Sequence, residues 1–183
     1  MKFPVLETKR LSLVKITYDY TKDLYHILSR KDVMKHYGMD RIFNYEEAAR
    51  VIESYRASFA RQQGIRWGMV IKDSNTFIGT IGLDHIGVSG KKAEIGFDLH
   101  PSYWGKGLGS EALREILRYA FEELHLYRIG AVTFPENLDS ITLLEKFHFE
   151  KEGCLRGYFY QNEHFYDAFV FSVIYPDWKG KEK

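Results

Sequence analysis

Between residues 93 and 121 the chain passes from a strand pattern, through alternate glycines, into a strongly periodic helix. Ala93-Glu-Ile-Gly-Phe-Asp-Leu99 reads as the strand, and Gly105, Gly107 and Gly109 follow it. Leu108, Ala112, Leu113, Ile116, Leu117, Ala120, Phe121 and Leu124 then recur on one helical stripe. Glu111, Arg114, Glu115 and Arg118 occupy the other face, the pattern of a solvated surface laced with ion pairs. Tyr127 to Phe134 reads as a buried strand. A strand, crossover helix and second strand of this length place the two strands in parallel, which makes the chain a mixed α/β domain. Glycines before a helix let the backbone take positive φ and approach an anion closely. The unpaired N–H groups of the first turn and the helix dipole then favour a pyrophosphate.

Three cofactor loops compete for this segment. A dinucleotide fingerprint needs Gly-x-Gly-x-x-Gly in an early strand-helix-strand unit, whereas here the spacing is Gly-x-Gly-x-Gly and lies past mid-chain. A Walker loop needs Ser or Thr after its Gly-Lys pair. Lys106 follows Gly105, but Gly107 and Leu108 come next. Trp104-Gly-Lys-Gly-Leu-Gly109 resembles the acyl-CoA loop of the GNAT acetyltransferases, Gln/Arg-x-x-Gly-x-Gly/Ala. Gly107 and Gly109 stand at its fixed positions, and Trp104 replaces the usual Gln or Arg. The resemblance extends over about the whole chain and is to the RimJ/RimL-type branch. Leu6-Glu-Thr-Lys-Arg-Leu-Ser-Leu13 is similar to its opening strand. Asn137-Leu-Asp-Ser140 and Glu145-Lys-Phe-His-Phe149 are similar to its Asn-x-x-Ser and Glu-Lys-x-Gly-Phe, with His148 in place of Gly. The Phe165-Tyr-Asp-Ala-Phe-Val-Phe171 strand is similar to that branch's C-terminal part.

The resemblance implies the GNAT fold: a central, mostly antiparallel twisted sheet with a splayed parallel strand pair and flanking helices. It implies acetyl-CoA as acetyl donor and an amine as acceptor. The pantetheine arm is expected against the backbone of Phe97, Asp98 and Leu99. Trp104, Gly105, Lys106, Gly107, Leu108, Gly109 and Ser110 are expected to cradle the pyrophosphate, with Asn137 on the pantetheine amide or an ordered water. The backbone N–H near Leu99 would polarise the acetyl carbonyl. The Tyr that often serves the leaving thiolate is replaced by Leu144, so Ser140 is the candidate donor, with Asn137 beside it.

For the proton of the amine, Glu94 working through water is the candidate, with Asp84 and His85 as rivals. Tyr160, Glu163 and Asp167 are candidates to bind a substrate ammonium. No His/Cys/Asp/Glu spacing suggests a metal, and direct transfer without an acyl-enzyme leaves Cys154 and His148 structural. The acceptor that the resemblance favours is a protein N-terminal α-amine, whose pKa near 7.7–8.0 makes deprotonation easy. A polyamine or aminoglycoside acceptor, or a CoA-binding module without catalysis, stays open; a phosphate-binding NTPase is a weaker third.

Composition sets the remaining bounds. The 183 residues suit one domain over 1–178, with 179–183 expected as a disordered tail. A hydrophobic share of 45% and charged share of 28% are those of a globular protein. A net charge of +1 gives no reason to expect nucleic acid or membrane partners. One cysteine, no signal peptide and no apolar span point to the cytoplasm. The oligomeric state, homodimer included, is left open.

Overall fold

In a computed structural model describing residues 2–87 and 89–181, one mixed sheet runs through the molecule. Its strands are β1 (Leu6–Glu7), β2 (Leu11–Lys15), β3 (Ile65–Ile71), β4 (Thr76–Gly87), β5 (Lys92–Leu99), β6 (Arg128–Thr133), β7 (Glu150–Gln161) and β8 (His164–Ile174). They lie in the order β1-β2-β3-β4-β5-β6-β8-β7. Every neighbouring pair is antiparallel except β5 and β6. The expected β4–β5 turn includes Val88, which lies outside the described residues.

The helices are α1 (Thr21–Leu28), α2 (Lys31–Met34), α3 (Tyr45–Ala60), α4 (Leu108–Arg118), α5 (Leu138–Lys146) and α6 (Tyr175–Lys181). Alternation along β3 divides the core between two faces. Trp67 and Met69 join the α4 stripe of Leu108, Ala112, Leu113, Ile116 and Leu117 on one face. Val70 joins Leu24, Ile27 and Leu28 of α1 and Ile52 of α3 on the other. The crossover β5-α4-β6 stands as the sequence predicts, and so do the antiparallel hairpins expected on either side of it, β3–β4 from the turn chemistry of Lys72-Asp-Ser-Asn-Thr76 and β7–β8 from the last two strands.

Local chemistry accounts for the helix ends. Asn44 followed by Glu46 and Glu47 predicts a helix that runs towards Gln63, and Asn44 caps α3, its side chain accepting from the Glu47 N–H at 2.9 Å. Glu47 returns a bond to the Phe43 N–H at 2.7 Å, one residue before the usual capping-box donor. The helix ends at Ala60 rather than reaching Gln63. Residues Tyr119–Glu123 extend α4 by a π-helical turn. At the end of α5, His148 takes φ +63°, so the turn that favours Gly is kept with a histidine in it. Gln161-Asn162 reads as the turn between the last two strands, but the β7–β8 turn falls one residue on, at Asn162 and Glu163, both with positive φ.

The expected tail is shortened by α6, which returns Trp178 to the core, 5.1 Å from the Phe121 ring. Residues 182 and 183 lie outside the described residues. On β7, Cys154 is free and exposed. Among the described residues no helix is long and apolar enough to cross a membrane.

The β6–β8–β7 half of the sheet carries a charged clasp. Arg128 donates two bonds to Glu152, at 2.6 and 2.5 Å, and the Ser172 hydroxyl donates a third at 2.8 Å. These bonds, the arginine's first, lower the Glu152 pKa to about 2. A carboxylate depressed in the folded state stabilises fully above its unfolded value near 4.5 and loses that contribution as pH falls towards 2. The pair is largely exposed, so its worth stays below ~1 kcal/mol. Glu152→Gln should therefore flatten part of the fall in thermal midpoint between those pH values, read by melting curves across the range.

Candidate active site

β5 and β6 pair only at Lys92–Arg128, Ala93–Ile129 and Glu94–Gly130. Beyond Glu94 the strands splay: β5 stays with β4 while β6 stays with β8. The His100 N–H donates to the Ile78 carbonyl at 2.8 Å, which fixes the alternation along β5. Even-numbered residues direct their backbone groups at β4, so Phe97 and Leu99 direct theirs into the gap. Asp98 directs its backbone at β4. Its buried carboxylate accepts from the Thr80 N–H, the Thr80 hydroxyl and the Tyr37 hydroxyl. Burial pushes the Asp98 pKa up, against the pull of those bonds and of Arg66.

On the α4 side of the gap lies a cleft of about 1000 Å³, reaching from Phe97 and Leu99 along the glycine loop to α5. Gly105 and Gly107 have φ +69° and +74°, and Gly107 is the residue before α4. The N–H groups of Leu108, Gly109 and Ser110 fall in the first helical turn and have no carbonyl within the helix to reach. All three residues line the cleft with Trp104, Gly105 and Gly107. Trp104 donates its indole N–H to the Leu99 carbonyl at 2.7 Å, tying the loop to the strand end.

The loop is also braced from outside. Arg10 donates to the Lys106 carbonyl at 3.0 Å and to Glu111 at 2.7 Å, and Thr8 donates to Glu111 at 2.7 Å. Glu111 is thus a brace between the β1–β2 turn and α4 rather than part of a solvated face. Burial would raise its pKa, but the bonds from Thr8 and Arg10 hold it below the ordinary value. The Lys106 side chain stands over the Tyr103 ring, outside the cleft lining. Asn137 and Ser140 line the cleft opposite the glycine loop, and Asn137 caps α5 by accepting from the Ser140 N–H at 3.3 Å. Leu144 is buried in the core and offers no hydroxyl.

A second cleft, of about 770 Å³, opens on the other side of the splay. Glu94, Asp84 and His85 all line it, so the structure brings the three base candidates together. Glu94 lies 3.2 Å from the His85 ring. Its floor is Arg66, which the sequence reading missed. Arg66, Gly82 and Gly96 stand side by side in register across β3, β4 and β5. The arginine side chain lies flat over the two glycines. A Cβ on Gly82 would come within 2.8 Å of its Nε, and one on Gly96 within 3.4 Å of its terminal nitrogen. It donates to the Gly96 carbonyl at 3.0 Å and to Asp84 at 2.5 Å. Burial works against its charge, but Asp84, Tyr37, Tyr55 and Asp98 more than offset that, so Arg66 stays protonated. Tyr37 and Tyr55 have pKa values raised by burial, Tyr55 to about 12.

His36, Tyr37 and Phe97 line both clefts and mark where they meet. The outer wall comes from Tyr158 and Phe159 on β7. The other expected ammonium binders lie away from both linings. Tyr160 is exposed on the hairpin, Glu163 is in its turn, and Asp167 accepts from the Gly157 N–H at 2.8 Å. Among the described residues no group of His, Cys, Asp and Glu is placed to hold a metal.

Two clefts that meet where a parallel strand pair parts, one of them ending on a helix N-terminus with left-handed glycines, define a transferase that brings a nucleotide-bearing donor to a second substrate. The acetyltransferase (GNAT) domain family matches residues 10–150, and the chain belongs to that family. It is an acetyl-CoA-dependent N-acetyltransferase. The N-acetyltransferase YoaA of Bacillus subtilis (strain 168), itself uncharacterized, is 39% identical over 174 residues, 95% of this chain and 98% of that one. The ribosomal protein uS5-alanine N-acetyltransferase of Escherichia coli (strain K12) is 34% identical over 84 residues, 46% of this chain and 43% of that one. Among solved structures, the RimL ribosomal L7/L12 α-N-protein acetyltransferase with coenzyme A superposes with a TM-score of 0.83 at 18% identity. That match covers 93% of this chain and 98% of the other.

Proposed function

We propose that this enzyme acetylates the N-terminal α-amine of a protein or peptide, with catalysis carried by the loop, strand and helix residues that line the donor cleft. The balance of charge in the acceptor cleft carries the reading. Two carboxylates, Asp84 and Glu94, stand there against Arg66, with aromatic walls from Tyr37, Tyr158 and Phe159. Polyamines, with several cationic centres, suit a more acidic cleft. A single α-ammonium followed by an apolar chain suits one free carboxylate and a ring-lined wall. The ribosomal-protein acetyltransferases among the relatives point the same way. A soluble cytoplasmic enzyme acting on newly made protein fits this reading.

Acetyl-CoA supplies an activated acyl group and a good leaving thiolate. Glycine-loop and α4 N–H groups hold the pyrophosphate, and Phe97 and Leu99 hold the pantetheine by backbone bonds across the splay. The Phe97 N–H, directed into the gap where the two clefts meet, polarises the acetyl carbonyl as charge develops on its oxygen, two residues before the Leu99 expected. Ser140 donates to the departing sulfur, held at the start of α5 by the Asn137 cap. Glu94 draws the ammonium into the acceptor cleft. Alignment of the two substrates at Phe97 supplies several further kcal/mol.

A hydrogen bond to a charged group is worth about 1.5–3 kcal/mol. Ser140→Ala should therefore lower kcat about 10- to 100-fold and leave acetyl-CoA affinity unchanged by calorimetry. An undiminished kcat would remove Ser140 from the mechanism. The acceptor is tested by thiol release on a panel of Ala- and Ser-initiated peptides, spermidine and an aminoglycoside. Turnover confined to the small polycations would overturn the peptide reading.

A further inference from the structure

We propose that His36 is the catalytic base, taking the proton from the acceptor nitrogen at the point where the two clefts meet. The inference rests on the acetyl-transfer reading above and adds a residue to it. His36, Tyr37 and Phe97 alone are common to the linings of both clefts, so the imidazole borders the place where amine and thioester come together. Of the two titratable groups there, Tyr37 is committed: its hydroxyl donates to Asp98 at 3.1 Å, and burial raises its pKa far out of the neutral range. His36 has no such commitment, and its ring packs against Phe134, with centroids 5.5 Å apart. Glu94 is three residues back along β5 from Phe97, roughly 10 Å at the rise of a strand. It serves the entrance of the acceptor cleft, not its end.

The surroundings suit a base. Desolvation lowers the His36 pKa from its ordinary value, and neighbouring Lys35 adds to this; Glu136, in the turn between β6 and α5, opposes both. Tyr158 and Phe159 of β7 line the same cleft as the ring, and so do Arg66 paired with Asp84, and Glu94 beside His85. The imidazole is thus neutral at pH 7 and ready to accept. His36 takes one proton from the bound ammonium at its free ring nitrogen and passes it to water through the open cleft. The neutral nitrogen then forms its bond to the acetyl carbon, the carbon–sulfur bond breaks, and its electron pair leaves with sulfur. The second proton, shed by the nitrogen as the amide forms, follows the first through His36 to water.

The test combines kinetics with a titration that needs no acceptor. With whichever amine of the panel is turned over, wild-type kcat should rise with pH through a limb centred below 6.5. His36→Gln should lower kcat about 100-fold, with acetyl-CoA affinity retained, and move the limb up to that amine's own titration, near 8 for a peptide α-amine. Glu94→Gln should raise KM and leave the limb in place. In the uncomplexed wild-type enzyme, the His36 imidazole resonance, assigned by its loss in His36→Gln, should titrate below 6.5 and shift on adding acetyl-CoA. An unmoved limb in His36→Gln, or an imidazole indifferent to acetyl-CoA, overturns the proposal. Turnover of spermidine alone would sink the peptide reading while leaving the His36 limb to be read on that amine.

Discussion

Gly107→Glu should abolish acetyl-CoA binding while leaving the protein folded. Gly107 is exposed, has φ +74° and stands immediately before α4. A side-chain-bearing residue in that left-handed conformation costs about 1–2 kcal/mol. An added Cβ would stand 3.5 Å from Arg10, an ordinary contact, so the core is not disturbed. The loss in binding has two other sources. The carboxylate stands beside the first turn of α4, on the residue before it, where its bulk crowds the cleft and its charge opposes the pyrophosphate that the Leu108, Gly109 and Ser110 N–H groups attract. An affinity loss of at least about 100-fold, or 2.7 kcal/mol, is expected by calorimetry. The thermal midpoint should fall only by about 2–8 °C. Wild-type affinity in this variant would mean that the loop is no more than a helix cap.

Phe134→Ala should be the most damaging substitution near the site. Phe134 is 2% exposed at the end of β6. Its ring stacks on Phe159 with centroids 4.4 Å apart and 4° between planes, and it also touches Tyr166 at 5.4 Å and His36 at 5.5 Å. This aromatic cluster fastens the β7–β8 hairpin over the acceptor cleft. Truncating a buried phenylalanine costs about 3–5 kcal/mol, a large part of the 5–15 kcal/mol by which a typical domain is stable. The urea midpoint should fall accordingly. Acetyl-CoA affinity should change less than acceptor KM, because the wall that moves belongs to the second cleft. A stability loss below about 1 kcal/mol would show that the hairpin is held by other contacts.

The legible part of the chain was that whose signals are local. The glycine loop, the α4 stripe and the Asn44 cap each declare themselves within one or two helical turns, and so did the β5-α4-β6 crossover. Arg66 was invisible because its meaning depends on register. Gly82 and Gly96 read as weak strand residues until pairing places them beneath one arginine, although glycine inside a strand is itself a sign of close approach. His36 lies on a short segment with no periodicity, and packing on Phe134 at the end of β6 puts it beside the cleft. Glu111 looked solvated because its partners, Thr8 and Arg10, are about a hundred residues away in sequence. Helix α6 escaped notice because it is short, carries Pro176 in its first turn and follows a strand without a polar cap. Tyr160, Glu163 and Asp167 have the right chemistry for an ammonium, but the hairpin carries them past the cleft.

With β5 and β6 joined at three residue pairs, the sheet is two leaves sharing a narrow hinge, and beyond it, among the described residues, the facing edges do not pair with each other. A donor bound between them supplies those missing backbone contacts and works as an additional rung. Its binding energy then enters the folding equilibrium directly: saturation at 100 times the dissociation constant adds about 2.7 kcal/mol to stability. Melting temperature thereby becomes a readout of the acyl donor alone. Thioesters of different chain length can be ranked on the purified protein before any acceptor has been found.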